Sequence, residues 1–463
     1  MHRLISLGLV AAILVVYAGA LHGPFLWDDG QSVVFNPHIR SLWPLTETID
    51  THDSPILGGR PIVAISLALN YAVGGTDPTG YHLFNIAIHV ANALLLFGLI
   101  RRTMLLPRWE GRFERAEVDW FAGAVALIWS MHPLQTEAVD YVTQRSESMM
   151  SLCVLLMLYA VARGARSTRP IRWNSLAILA CAVGMACKQT MVIAPVLAML
   201  FDWIFLPRRL PGRRILHAGL LATWLVMLLF LRGQDVNSMN PPGQRPITAW
   251  IYLETEMGVI VHYLRLCFWP RGLTIDYRDW PPAENIASVA LDGLVLLALL
   301  AASIICCVRR AWPGFVGGWF FLILAPTSSI LPLVNEMVAE RRMYLPLVAI
   351  VVLVVALAWR LIRAFPAAGA VGVIALAVVL GISTGVRNRE YQSTIGFWTD
   401  AIQKRPGSPM ARYYLSWAYA DIGDWKNARI QAEMSLANHA PAHWLNHLLD
   451  FINQHDPHAH PPK

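Results

Sequence analysis

The sequence predicts an all-α, polytopic membrane protein of about eleven spanning helices followed by a short C-terminal helical module, on three observations. Of 463 residues, 56% are hydrophobic and 14% charged, where a soluble globule carries about 25% charged residues. The mean hydropathy is +0.46. Apolar stretches of spanning or near-spanning length recur, separated by clusters of arginine. This composition excludes a soluble globule, a disordered chain and a disulfide-stapled secreted domain. The six cysteines lie in or beside apolar runs, where free thiols behave as small hydrophobes, and they lack the spacing of a disulfide or zinc framework.

The stretches fall at about 4–22, 81–100, 120–132, 147–162, 173–187, 190–206, 215–231, 286–308, 313–331, 344–359 and 367–386. The first, with its basic start and Ala18-Gly19-Ala20, also has the look of a cleavable leader; because the run reaches spanning length, a retained anchor is expected. Arginines crowd alternate connections: Arg101 to Arg115, Arg163 to Arg172, Arg208, Arg209, Arg213 and Arg214, Arg309 and Arg310, then Arg360 and Arg363. The positive-inside rule places these loops and the N-terminus in the cytoplasm and the C-terminus outside. The net charge of +7 is therefore a topology signal, not a nucleic-acid surface, which would need one contiguous basic face.

Two segments resist simple assignment. Residues 249–270 are long enough to span but carry Glu254, Glu256, His262 and Arg265, so an amphipathic helix at the outer face is expected, within an outer segment at about 235–285. Residues 120–132 are short, and 133–145 has the character of a re-entrant stretch.

Ionisable groups at membrane level are costly and so are functional candidates, and the outer face holds them. Asp28 and Asp29 follow the first helix; one carboxylate of such a pair suits a general base, with the other holding a metal or orienting the acceptor. The plain alternative is a turn, since Asp29-Gly30 is a turn dipeptide. Lys188 is the lone charge between Trp173 and Asp202: it snorkels to the interface or binds an anion. Arg341 and Arg342 either clamp a phosphate or form a salt-bridged loop. Further candidates are Arg60, His132, Glu137, Asp140, Arg145, Asp276 and Glu340. His82, His89 and His132 are read as packed histidines in preference to metal ligands. Together the set suits a lipid-linked phosphosugar: the lipid stays in the bilayer, the phosphate leaves and the acid activates an acceptor.

Residues 387–463 lose the apolar pattern. Leu415, Ser416, Tyr419, Gly423, Ala428, Ala432 and Ser435, with Pro441 beyond, fit the small and aromatic positions of a tetratricopeptide helix pair, preceded by half a repeat around Ala401 and Pro406. So short an array cannot stand alone and is expected to pack on the outer loops. The end, NQHDPHAHPPK, has metal-binding composition but reads first as a disordered tail.

The series FLWDDGQSVVFNPHI, RPIVAISLALNY, GYHLFNIAIHVANALLLF, MHPLQTEAVDYVTQRSE, KQT, YLRLCFWPRGLTIDY, PTSSILPL and AERRMYLPL, in order from about 25 to 441, resembles the TMTC family, the transmembrane and tetratricopeptide-repeat-containing proteins of the GT-C glycosyltransferase superfamily. The resemblance implies transfer of a sugar, mannose in animal members, from a polyprenyl phosphate to Ser or Thr hydroxyls of a protein, with inversion, on the luminal or periplasmic side. It implies a base at Asp28 or Asp29, a second acid or metal ligand at Glu137, with Glu340 beside it in the later motif, and phosphate ligands at Lys188 and at Arg341 or Arg342. A divalent Mg or Mn ion is a further expectation. Gln189 stands where the family carries Glu, and the repeat array is far shorter than in animal members. A bacterial member in the inner membrane is expected, with an endoplasmic reticulum protein the alternative. Two other classes compete: a non-catalytic platform recruiting partners through the tail, and a lipid or anion transporter.

Overall fold

The computed structural model describes the chain except residues 52–53, 55, 209, 211, 232–246, 330–331, 334–335, 439–441 and 457–463. Arg209, Pro441, the first part of the 235–285 segment and the His- and Pro-rich end beyond Asp456 thus lie outside the described residues. Among the described residues all regular structure is helical: α1 (His2–Tyr17), α2 (Pro61–Gly74), α3 (Pro78–Met104), α4 (Arg115–Ser130), α5 (Arg145–Gly164), α6 (Pro170–Met185), α7 (Ala194–Phe205), α8 (Arg213–Leu231, with a break at Thr223), α9 (Ala249–Phe268), α10 (Ala290–Val308), α11 (Trp312–Leu324), α12 (Leu347–Ala364), α13 (Pro366–Glu390), then α14 (Thr394–Lys404), α15 (Pro409–Asp421), α16 (Trp425–Ala437) and α17 (Ala442–His455), with short turns between. Proline occupies the first turn of α2, α3, α6, α11, α13 and α15, where its missing N–H would have no partner anyway.

Every one of the eleven apolar stretches contains a helix, that at 313–331 ending at Leu324, and six helical segments among the described residues are long and apolar enough to cross a bilayer. Their outer surfaces agree with that. Leu291, Leu294, Leu297, Ile304 and Val308 of α10 and Val371, Ile374, Val379 and Ile382 of α13 stand exposed, an apolar surface that on helices of spanning length suits contact with lipid. The chain is an integral membrane protein.

The two ends of the bundle differ in chemistry. At one, arginines cap the last carbonyls of neighbouring helices: Arg108 donates to the Ile204 carbonyl at 2.6 Å, Arg310 to that of Trp203 at 2.6 Å, and Arg166 to that of Leu105. These carbonyls have no intrahelical partner and sit at the negative end of the helix dipole. The arginine clusters are thus helix caps as well as a topology signal.

The opposite end carries the long connections. Within the expected outer loop 23–80 lies α2, whose apolar residues the sequence places in a loop. Its first turn meets the Ala186 carbonyl (Ile62 N–H, 3.2 Å), and the Tyr81 hydroxyl donates to the Gly75 carbonyl beyond its last turn (2.9 Å). Helix α9 likewise touches connections of this face along its length: Tyr252 donates to the Thr327 carbonyl at 2.6 Å, Tyr263 to that of Ala339 at 3.0 Å, and His132 meets the Cys267 carbonyl at 3.1 Å. It is thus tied to these connections near its start, its middle and its end.

Helices α14 to α17 form the C-terminal module. Ala428 and Ala432 are fully buried, and the Ser416 hydroxyl donates to the Ala428 carbonyl at 2.6 Å; such close helix approach is what small residues permit. The module is docked on the loop-bearing face. Lys404 donates to the Leu273 carbonyl at 2.7 Å, Arg405 pairs with Asp279 at 2.8 Å, and Ser408 donates to Asp276. Leu26, Tyr141 and Ile275 of the loops share one apolar cluster with Phe397, Trp398 and Leu415 of the module.

Candidate active site

A concentration of charge on the loop-bearing face is assembled from five connections. The first carries the acidic pair in a tight local geometry. Trp27 lies in the left-handed region at φ 44°, a conformation that costs a non-glycine residue about 1–3 kcal/mol and survives only where its surroundings hold it. Here its indole stacks on Tyr141 at 6.4 Å and meets Trp398 and Tyr414 of the module at 5.8 and 5.9 Å. The chain then enters a wide π-helical turn, Gly30–Val34.

The two carboxylates that follow differ. Asp29 is buried, and both oxygens are occupied: one accepts from the Leu26 N–H at 3.0 Å, the other from the Thr143 N–H at 2.8 Å and the Thr143 hydroxyl at 2.5 Å. Burial raises it to about 7 against the pull of those donors. Asp28 is half-buried, and its N–H donates to the Tyr141 hydroxyl at 2.9 Å. Its carboxylate has no ion-pair partner within 4.0 Å among the described residues. Burial and then the nearby charge of Glu336 raise it; Tyr141, Arg341 and Arg278 offset part of that.

Around Asp28 gather the cations. Arg341 is held by Glu137, whose two oxygens accept from its backbone N–H at 2.8 Å and from Nη1 at 2.5 Å, while Nη2 pairs with Glu336. Lys188 pairs with Glu147 at the start of α5. Neighbouring Gln189, in the place of the family's Glu, donates to the Gly58 carbonyl at 3.0 Å. That contact fixes the turn through Gly59, at φ 69°, where an added Cβ would stand 3.1 Å from the Gln189 amide. The turn delivers Arg60, whose Nε is buried without a hydrogen-bond partner and whose charge is felt by Lys188.

Arg278, which sequence reasoning passed over, completes the set. Its guanidinium lies over the Trp27 ring at 4.9 Å, with Nε buried and unpartnered. The sequence singled out Asp276 and the RGLTIDY motif beside it, but only the fold brings Arg278 to Trp27. A cavity of about 20 Å³ lies between Trp27, Arg278, Glu336 and Arg341.

The remaining sequence candidates have other partners. Arg342 donates to the carbonyls of Thr327, Met337 and Glu336, so its fork is filled by backbone and braces the loop. Glu340 accepts from the Thr274 N–H and the Tyr277 hydroxyl, both at 2.6 Å, tying two loops together. Arg145 donates to Asn70 at 2.7 Å and to the Tyr81 carbonyl at 3.2 Å, anchoring α5 to α2 and α3. Asp140 is buried with neither oxygen bonded, within electrostatic reach of Tyr17 and Tyr391. Asp276 caps the Arg278 N–H at 3.0 Å and receives Ser408.

His132 caps Leu134 at 3.2 Å, His82 meets the Gly23 carbonyl at 3.0 Å, and His89 meets the Tyr344 hydroxyl at 2.7 Å. Among the described residues no three His, Cys, Asp or Glu side chains lie together as a metal would need. The donor chemistry agrees: Glu137, Glu147 and Glu336 are each neutralised by a cation, and Asp29 by N–H and O–H donors. These residues do not fit a divalent ion.

Comparison with known proteins finds similar sequences. The chain is 24% identical to the protein O-mannosyl-transferase TMTC4 of Mus musculus, over 89% of this chain and 63% of that protein. It is 28% identical to the protein O-mannosyl-transferase Tmtc2 of Drosophila melanogaster, over 57% of this chain and 29% of that protein, and 23% identical to the protein O-mannosyl-transferase F38B6.6 of Caenorhabditis elegans, over 91% and 60%. The chain is thus similar in sequence to proteins of the TMTC family, at 23 to 28% identity. It spans less than two thirds of the length of these TMTC relatives. No family model and no solved structure matches it.

Proposed function

We propose that the chain is an inverting glycosyltransferase that moves a sugar, mannose by the names of its relatives, from a polyprenyl-phosphate donor to a hydroxyl of a protein acceptor. The carrying observation is an accessible carboxylate, Asp28, without an ion-pair partner and beside a cluster of guanidinium groups. The Asp28 carboxylate takes the proton of the acceptor hydroxyl. That oxygen bonds to the anomeric carbon from the side opposite the phosphate, and the carbon–oxygen bond to the phosphate breaks. The lipid phosphate leaves with the bonding pair, and Arg341, Arg60, Arg278 and Lys188 stabilise its charge. Asp29 shapes the turn that presents Asp28, Glu137 fixes Arg341, and the reaction is assigned no metal.

The orientation that goes with this reading puts Asp28 and the C-terminal module on the periplasmic or luminal side, because the arginine loops lie at the other end of the bundle. The docked module supports an enzyme over a platform, since it braces Trp27 instead of projecting free. Toward the arginine end the helices enclose a cavity of about 260 Å³ lined by Leu96, Phe121, Phe201, Phe315 and Trp319, a lining suited to hydrocarbon and not to an ion path.

Purified full-length protein supplied with polyprenyl-phosphate mannose and a Ser/Thr-containing acceptor peptide tests the assignment. Asp28→Asn is expected to lower kcat by roughly 10²–10⁴, the usual contribution of a general base, with an unchanged melting temperature. Asp29→Asn is expected to lower the melting temperature, because a carboxylate accepting three hydrogen bonds becomes an amide with a single acceptor oxygen. Full transfer by Asp28→Asn would refute the base.

A further inference from the structure

The anion-binding half of the site contains a carboxylate that the transfer chemistry does not use. Glu336 pairs with Nη2 of Arg341. It also borders the small cavity between Arg278, Arg341 and Trp27. Its electrostatic surroundings come from every side: Arg341, Arg342, Lys188 and Arg278 act on it, and its own charge acts on Arg60. Those cations hold Glu336 down at about 2, so a negative charge is favoured where its carboxylate meets Arg341.

The two carboxylates on Arg341 are not equivalent. The Glu137 side chain is 1% exposed and grips both the backbone N–H and the guanidinium of Arg341; that of Glu336 is 42% exposed and reaches only one guanidinium nitrogen. The backbone at Glu336 is separately secured, since Arg342 donates to its carbonyl. A rotation about the Glu336 side-chain bonds therefore clears Arg341 without disturbing the loop or the hold of Glu137.

We infer that Glu336 is a place-holder anion: its carboxylate occupies the seat of the donor phosphate on Arg341 and must swing away when a prenyl phosphate binds. This rests on the reading of the cluster as a phosphate site. It makes Glu336 a determinant of donor affinity, competing with the phosphate for the same guanidinium, and leaves Arg60 and Arg278 as the cations the incoming phosphate gains outright.

The test is equilibrium binding of a ten-carbon prenyl phosphate, with the matching prenyl alcohol as control, to full-length protein in detergent. Glu336→Gln, which keeps shape and removes charge, is expected to bind the phosphate about tenfold more tightly than the unsubstituted chain, with unchanged affinity for the alcohol. Glu336→Asp, which keeps the charge, is expected to stay close to the unsubstituted chain. Lys188→Gln is expected to bind more weakly. Equal or weaker phosphate binding by Glu336→Gln, with an unchanged melting temperature, overturns the place-holder while the phosphate site stands. Should the unsubstituted chain, Glu336→Gln and Lys188→Gln all bind phosphate and alcohol alike, the phosphate site itself fails and the place-holder with it.

Discussion

Asp28 and Asp29 are adjacent carboxylates that the fold puts to opposite uses. Asp29 is enclosed by Leu26 and Thr143, whereas Asp28 keeps an accessible carboxylate beside Tyr141, Glu336 and Arg341. The sequence shows the pair and the turn, but not which oxygen meets Thr143, a residue 114 positions away. A pH dependence follows from the surroundings of Asp28. A general base acts ionised, and burial with the charge of Glu336 raises Asp28, so activity should fall as pH drops through a range above that of an ordinary aspartate, about 3.9. The profile of kcat/KM reports groups of the free enzyme. Its acid limb should move to lower pH in Glu336→Gln, because one of the charges raising Asp28 is gone. A limb that stays in place would separate Glu336 from Asp28.

At the scale of elements, the coupling of the C-terminal module to the acidic turn is the feature with most consequence. Trp27, in its left-handed conformation, is wedged between Tyr141 on the membrane side and Trp398 and Tyr414 on the module side. Asp276, a candidate acid of the outer face, and its neighbour Asp279 are the docking points for Ser408 and Arg405. Trp398 is almost completely buried, and removing such a side chain costs about 3–5 kcal/mol. Trp398→Ala should therefore speed proteolytic release of the module and lower transfer together, whereas Ile422→Ala, at a site 66% exposed, should do neither. A module released with transfer intact would show that bracing Trp27 is unimportant. Helix α2 shows the other side of legibility. Its apolar residues were visible, but it is 14 residues long, and a length rule for spans passes over a helix that short.

For the whole molecule, the fold fixes which parts share a side. The acidic turn and the C-terminal module are in contact, and the arginine caps stand at the other end of the bundle. Single cysteines at the exposed positions of Trp43, Ile422 and Ile171 report this directly when sealed membrane vesicles meet a membrane-impermeant thiol reagent. Trp43→Cys and Ile422→Cys should label from one side and Ile171→Cys from the other; labelling of all three from one side would overturn the helix count. The sequence by itself determined the helical membrane class, the clustering of arginine in alternate connections and the acidic, lysine and double-arginine motifs. It could do so because span length, hydropathy and basic clusters are local properties written along the chain. The tertiary structure alone decided which charges meet. Lys188 finds Glu147 across 41 residues and Arg341 finds Glu137 across 204, Arg342 is held by carbonyls and by Glu256, and Arg278 joins the site from the loop that follows α9. Ion pairing depends on distance in space, and in this bundle that distance is set by helix packing, which no local pattern encodes.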